Sequence, residues 1–89
     1  MHFLLFNYQF TKTSLKRFRK LSKDIQIRII GKLDYYCLQN DPLDFAEPLT
    51  RTSLGEYRFR IGDYRVSFDV EGEILVILDV DHRKDIYSR

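Results

Sequence analysis

The sequence predicts an α+β domain in which an N-terminal strand and a helical hairpin precede a three-strand antiparallel meander, with both helices against one face of the sheet. Three observations carry this. Residues 56–68, EYRFRIGDYRVSF, alternate with period two about Gly62-Asp63, the pattern of two strands joined by a tight turn. Residues 13–38 place apolar side chains at helical spacing with almost no break between two segments. Ile74 to Val80 is a near-continuous apolar run, as in a strand inside a sheet.

At the centre is the 56–68 hairpin. Tyr57, Phe59 and Ile61 share one face with Tyr64, Val66 and Phe68, which leaves Arg58, Arg60 and Arg65 on the other. A two-residue turn at Gly62-Asp63 sets Ile61 opposite Tyr64 and Arg60 opposite Arg65, with Cβ atoms roughly 5 Å apart. Like charges facing each other weaken a hairpin, so the patch reads either as a surface awaiting a polyanion or as a solvated face of snorkelling arginines. Both readings stand on the hairpin alone.

The remaining elements follow in order. Residues 2–8, HFLLFNY, read as a first strand. Thr11 or Thr13 can cap a helix running to about Leu21, with Leu15, Phe18 and Leu21 as its buried stripe. Lys12, Lys16, Arg19, Lys20 and Lys23 line its opposite side. Such a stripe is either a solvated face or a binding surface, and the lack of any acidic side chain in residues 1–23 raises the local positive potential. Ser22 caps a second helix carrying Ile25, Ile29, Ile30, Leu33, Tyr36 and Cys37 inward. Residues 39–53 are rich in turn formers, include Pro42 and Pro48, and read as an ordered loop. Glu71-Gly72 makes the second tight turn. The open sheet face is expected to be the arginine face.

Composition bounds the chemistry. Eighty-nine residues with 44% hydrophobic content are read as one domain, residues 1–89, with one modest core. A single cysteine, Cys37, allows no internal disulfide framework and no metal-ligand spacing; on an apolar helix face it reads as a packed side chain. The apolar start lacks a preceding basic region and no apolar run reaches spanning length, so no membrane association and a cytoplasmic location are expected.

No phosphate-binding glycine loop, zinc spacing or Ser-His-Asp order is present. The one constellation with chemical content is Arg58, Arg60, Arg65, His82, Arg83 and Tyr87. Guanidinium groups, an imidazole and an aromatic plane are parts of a ribonuclease that uses neither metal nor cofactor: they hold phosphate, stabilise developing charge, move protons and stack a base. The same set also makes an anion-binding surface without catalysis. His82 reads equally as a packed or capping imidazole, and Tyr87 as a core plug.

The pattern LxxYRFRIGDYRVSF at 54–68, followed by the apolar strand and HRKDIY at 82–87, resembles the RelE/ParE superfamily of toxins from type II toxin–antitoxin pairs, most nearly its RelE branch. The resemblance spans the chain and includes DIQIRIIGKL at the start of the second helix. It implies a microbial-ribonuclease-like fold and cleavage of messenger RNA in the ribosomal A site, an mRNA interferase activity that stops translation. Arg58, Arg60, Arg65, Arg83 and Tyr87 stand at the matching positions.

One departure bears on mechanism: well-described members carry lysines where this chain has Arg58 and Arg60, and arginine stays protonated. Glu47, in a Glu-Pro-Leu segment similar to one in YoeB-like toxins, is then the candidate base, with His82 the candidate acid. Lys12, Lys16, Arg19, Lys20 and Lys23 are expected to serve RNA or ribosome binding. The resemblance also implies an acidic, wrapping antitoxin and a higher-order complex with it. A ParE-like inhibitor of DNA gyrase and an inactive binding module are the alternative functions.

Overall fold

The structure, a computed structural model, describes residues 5–50 and 55–82. Strand β1 (Asn7–Phe10) leads into helices α1 (Lys12–Arg19) and α2 (Lys23–Cys37), a 3-10 turn at Pro42–Phe45 and a two-residue strand β2 (Glu47–Pro48). Strands β3 (Tyr57–Ile61), β4 (Tyr64–Glu71) and β5 (Ile74–His82) then form the meander. Among the described residues these strands make one sheet in the order β1-β5-β4-β3-β2, with β1 parallel to β5 and the other pairs antiparallel. The α+β class, the helical hairpin and the meander are as the sequence predicts.

Helix α1 begins where Thr11 accepts from the backbone N–H of Ser14 at 3.1 Å, and α2 where Ser22 accepts from that of Ile25 at 3.4 Å. Lys16, Arg17 and Arg19 in the last turn of α1 suit the negative end of its dipole. Ser14 of α1 is fully buried and donates to the Ile77 carbonyl at 2.7 Å, and the Thr11 N–H bonds the same carbonyl. These bonds continue the edge of β5 where β1 stops, so α1 lies beside the distal half of β5.

Helix α2 closes the core from above. Tyr36 lies against Phe59 with ring centroids 4.4 Å apart, and Phe59 stacks on Phe68 at 4.5 Å. Ile29, Leu33, Cys37, Phe59, Val66, Phe68, Leu75 and Ile77 have no exposed surface. Each large apolar side chain so buried contributes about 1.5–3 kcal/mol. Leu15, Leu21, Ile25 and Ile30 complete the packing as half-buried neighbours.

Several boundaries move. Among the described residues the first strand is Asn7–Phe10, set by its pairing with Ile74 to Ile77, so it runs two residues past the expected end at Tyr8; residues 2–4 of the expected strand lie outside the described residues. The second turn lies at Gly72-Glu73, one residue later than expected, because Glu71 pairs with Ile74. The predicted loop contains the 3-10 turn and β2: Glu47 pairs with Arg58 at the sheet edge, where Pro48 gives up no interior ladder bond. Register slips between Ser67 and Phe68, opposite Leu78. Gly55 packs there with φ 118°, and a Cβ on it would come within 2.9 Å of Leu78 Cδ1 and the Phe68 carbonyl oxygen.

Candidate active site

The hairpin register brings the arginines together as predicted: Ile61 faces Tyr64 and Arg60 faces Arg65 about Gly62, whose φ is 60°. Extending the register across the sheet gives two parallel rows on this face. One runs Asp81–Arg65–Arg60 across β5, β4 and β3; the other runs Asp79–Ser67–Arg58–Glu47 and reaches β2.

The face is therefore mixed in charge, which corrects the picture of an arginine patch lacking counter-ions. Arg58 Nη2 lies 2.9 Å from Glu47 Oε2, and Arg60 Nε lies 3.0 Å from Glu47 Oε1. One carboxylate thus spans two guanidinium groups, relieving the repulsion between neighbouring cations. The face is also less open than expected: Ser67 and Asp79 are buried and the Arg58 side chain is 21% exposed, against 59% for Arg60. Arg58 Nε is buried without a hydrogen-bond partner, a donor whose satisfaction calls for an acceptor at this point.

Glu47 comes to the arginines although 11 residues separate it from Arg58 in sequence. The hydrogen bond from Arg58 is the main cause that lowers its pKa, with the charges of Arg60 and Arg58 adding to it. The group is ionised throughout the neutral range, and for the same reason it is a weaker base than an unpaired glutamate.

His82 is not brought to the arginines. It pairs in register with Tyr64, on the helix-facing side, and its ring meets that of Tyr64 edge-on at 4.9 Å. Asp81, one residue earlier, takes the arginine side because side chains alternate along β5. Arg83 and Tyr87 lie outside the described residues. Lys12, Lys16, Arg19, Lys20 and Lys23 are all exposed, as a solvent-facing stripe requires. Cys37 is fully buried, and burial pushes its thiol up to about 11. Among the described residues no three His, Cys, Asp or Glu side chains are grouped to hold a metal ion.

Sequence reasoning missed Arg17, Asp79 and Asp81. Arg17 Nη1 lies 2.8 Å from Asp79 Oδ1 and its Nη2 2.7 Å from Asp81 Oδ1. Burial, then the neighbouring Asp81 carboxyl, raises the Asp79 pKa, while Arg17 and the Val80 N–H pull it back. The signal was present: Asp79 and Asp81 are two apart in an apolar strand and so share the arginines' face, and Arg17 is the cation of α1 that falls off the basic stripe.

This geometry can be set beside known proteins. The model of the family described as the ParE toxin of the type II toxin–antitoxin system, parDE, matches residues 8–87. Toxin RelG of Mycobacterium tuberculosis is 34% identical over 86 residues, covering 94% of this chain and 98% of that protein. Among solved structures, the toxin–antitoxin complex RelBE2 from M. tuberculosis contains a chain that matches with TM-score 0.74 at 30% identity, over 88% of this chain and 98% of that one. The archaeal RelE–RelB complex from Pyrococcus horikoshii OT3 contains one at TM-score 0.69 and 26% identity, over 89% and 96%. With a family model matching most of its length, a relative 34% identical over 94% of it and a fold shared with these structures, the chain belongs to the RelE/ParE superfamily and is a toxin of a type II toxin–antitoxin system.

Proposed function

We propose that this toxin is a ribosome-dependent endoribonuclease that cuts messenger RNA in the A site and so arrests translation in the cytoplasm, acting as the single domain 1–89. The observation that carries the reading is the Arg58–Glu47–Arg60 clamp. Two guanidinium groups converge on the two oxygens of one carboxylate, at 2.9 and 3.0 Å, and a phosphodiester presents the same pair of charged oxygens. Arg65 stands across from Arg60 to share the charge.

In the proposed reaction the 2′-oxygen attacks the adjacent phosphorus and the bond to the 5′-oxygen breaks. The products are a 2′,3′-cyclic phosphate and a 5′-hydroxyl end. The 2′-proton passes to a base, for which Glu47, paired with Arg58 and Arg60, is the candidate, and the leaving 5′-oxygen takes a proton from a donor in the 83–87 segment, since His82 faces Tyr64 on the other side of the sheet. The arginines stabilise charge growing on the non-bridging oxygens, the part a metal ion plays in other nucleases, and Tyr87 offers a stacking plane. Because the Glu47 pKa is lowered, most of the rate comes from electrostatics and from the ribosome orienting the message. An acidic antitoxin is the proposed partner, docked on Lys12, Lys16, Arg19 and Lys20 or near residues 83–89 in a higher-order complex. The relatives' structures are themselves complexes with RelB proteins, which supports it.

Adding the purified protein to a reconstituted translation reaction tests the reading. Polypeptide synthesis should stop, and supercoiling by purified DNA gyrase should continue. The reverse pattern would support the ParE reading, which the description of the matching family favours.

A further inference from the structure

The arginine rows do not end at Arg65. On β5 they end in Asp81 and Asp79, both on the arginine side, and over these two carboxylates α1 places Arg17. Its placement is fixed by the fold. Thr11 caps the helix, and buried Ser14 ties its first turn to the Ile77 carbonyl, which sets Arg17 one turn later beside the distal half of β5.

The aspartates are largely covered, with side chains 9% and 15% exposed, whereas Arg17 is 47% exposed. A guanidinium group carries five N–H donors in a rigid fork, and the two ion pairs leave part of that fork at the surface. The side chain has already lost its rotamer freedom to Asp79 and Asp81, so a phosphate meeting it pays little further ordering cost. From Arg60 to Asp81 the row crosses two strand spacings, about 10 Å, and Arg17 extends it by one more side chain. That length accommodates more than one phosphate of a single strand.

We propose that Arg17 is a further phosphate-contacting residue of the toxin, binding the RNA backbone next to the phosphate held at Arg58, Arg60 and Arg65, with Asp79 and Asp81 as the residues that position it. The proposal rests on the reading of this sheet face as the RNA face.

The test is equilibrium binding of the full chain to a fluorescent, 2′-O-methylated single-stranded oligouridylate, which cannot be cut, over a series of salt concentrations. Losing one phosphate contact should flatten the slope of log K against log salt by about 0.7. Arg17→Gln should show this loss, and Arg17→Lys should retain most of the slope. Adding Asp81→Asn to Arg17→Gln separates contact from neutralisation: restored affinity would show that Arg17 merely masks Asp81 and would overturn the proposal. Should Arg17→Gln fail to fold, judged by its melting curve, the comparison moves to Asp81→Asn alone, which must lower affinity by freeing Arg17 if the proposal holds and raise it if Asp81 only repels RNA. An unchanged slope in Arg17→Gln with a reduced slope in Arg65→Ala sinks the proposal alone. If Arg65→Ala is also unchanged, or the wild-type protein shows no salt-dependent binding, the reading beneath it fails as well.

Discussion

The two faces of this sheet are made by the same strands and held by different physics. The helix side is dry: Phe59, Val66, Phe68, Leu75 and Ile77 are fully covered and pack ring on ring beneath Tyr36. The other side is organised by charge, with Glu47 between Arg58 and Arg60 at one end and Arg17 between Asp79 and Asp81 at the other. Residues one position apart on a strand thus answer to different rules. Stability resides on the first face and depends on volume and apolarity; the second carries the proposed chemistry, and there ion pairing sets the arrangement.

Val66→Asp presses hardest on this contrast. It sets a carboxylate among fully buried apolar groups and should cost more than about 5 kcal/mol, most or all of the stability of a domain this size. Circular dichroism should show an unfolded chain. A cooperative melt near that of wild type would mean that the helix face is not the core described.

One strand position away, Arg65→Ala should do the opposite. Growth arrest on expression should be lost while the protein keeps a cooperative melt, since Arg65 is only half-buried and its truncation opens no cavity among the fully buried apolar side chains. Arg83→Ala is expected to behave in the same way. An Arg65→Ala strain that arrests as fast as wild type would remove Arg65 from the site.

Glu47→Gln gives a smaller effect with a pH signature. As a weak base Glu47 should contribute less than about 100-fold to the single-turnover rate, the lower end of general-base contributions. Its lowered pKa means the ionised carboxylate stabilises the fold above the ordinary glutamate range, and that contribution disappears as pH falls through the lowered value. The wild-type advantage over Glu47→Gln in urea unfolding should therefore be present at pH 7 and shrink towards pH 3. Asp79, with its raised pKa, has the opposite sign: the fold loses stability as pH rises from the ordinary aspartate value through the raised one. An advantage for wild type that grew on acidification would contradict the Arg58–Glu47–Arg60 clamp.

The smallest effect tests the dry face chemically. Buried Cys37, its pKa pushed up to about 11, should not react with a thiol reagent at pH 8 in the folded protein and should react at once in denaturant. Rapid native labelling would show the α2 packing to be loose.

What the sequence made legible was whatever depends on local periodicity. The Gly62 hairpin and its register, the two capped helices and the buried side of each strand follow from spacing alone. Pairings made through space were hidden. Glu47 sits between two prolines among turn formers, and nothing nearby shows that two residues of that stretch join β3. Arg17 and Asp79 are more than 60 residues apart, so their ion pair is invisible until α1 is laid along β5. His82 follows Asp81 in the sequence but faces Tyr64, because alternation at the end of β5 sends these two side chains to opposite faces.

The proposed activity is cleavage of messenger RNA on the ribosome by the arginine rows. Primer extension along a defined message on translating ribosomes, with purified wild-type and Arg65→Ala protein, tests it most directly. New 5′ ends at A-site codons are expected with wild-type protein and none with Arg65→Ala. Identical ends with both proteins, or none with either, would contradict it.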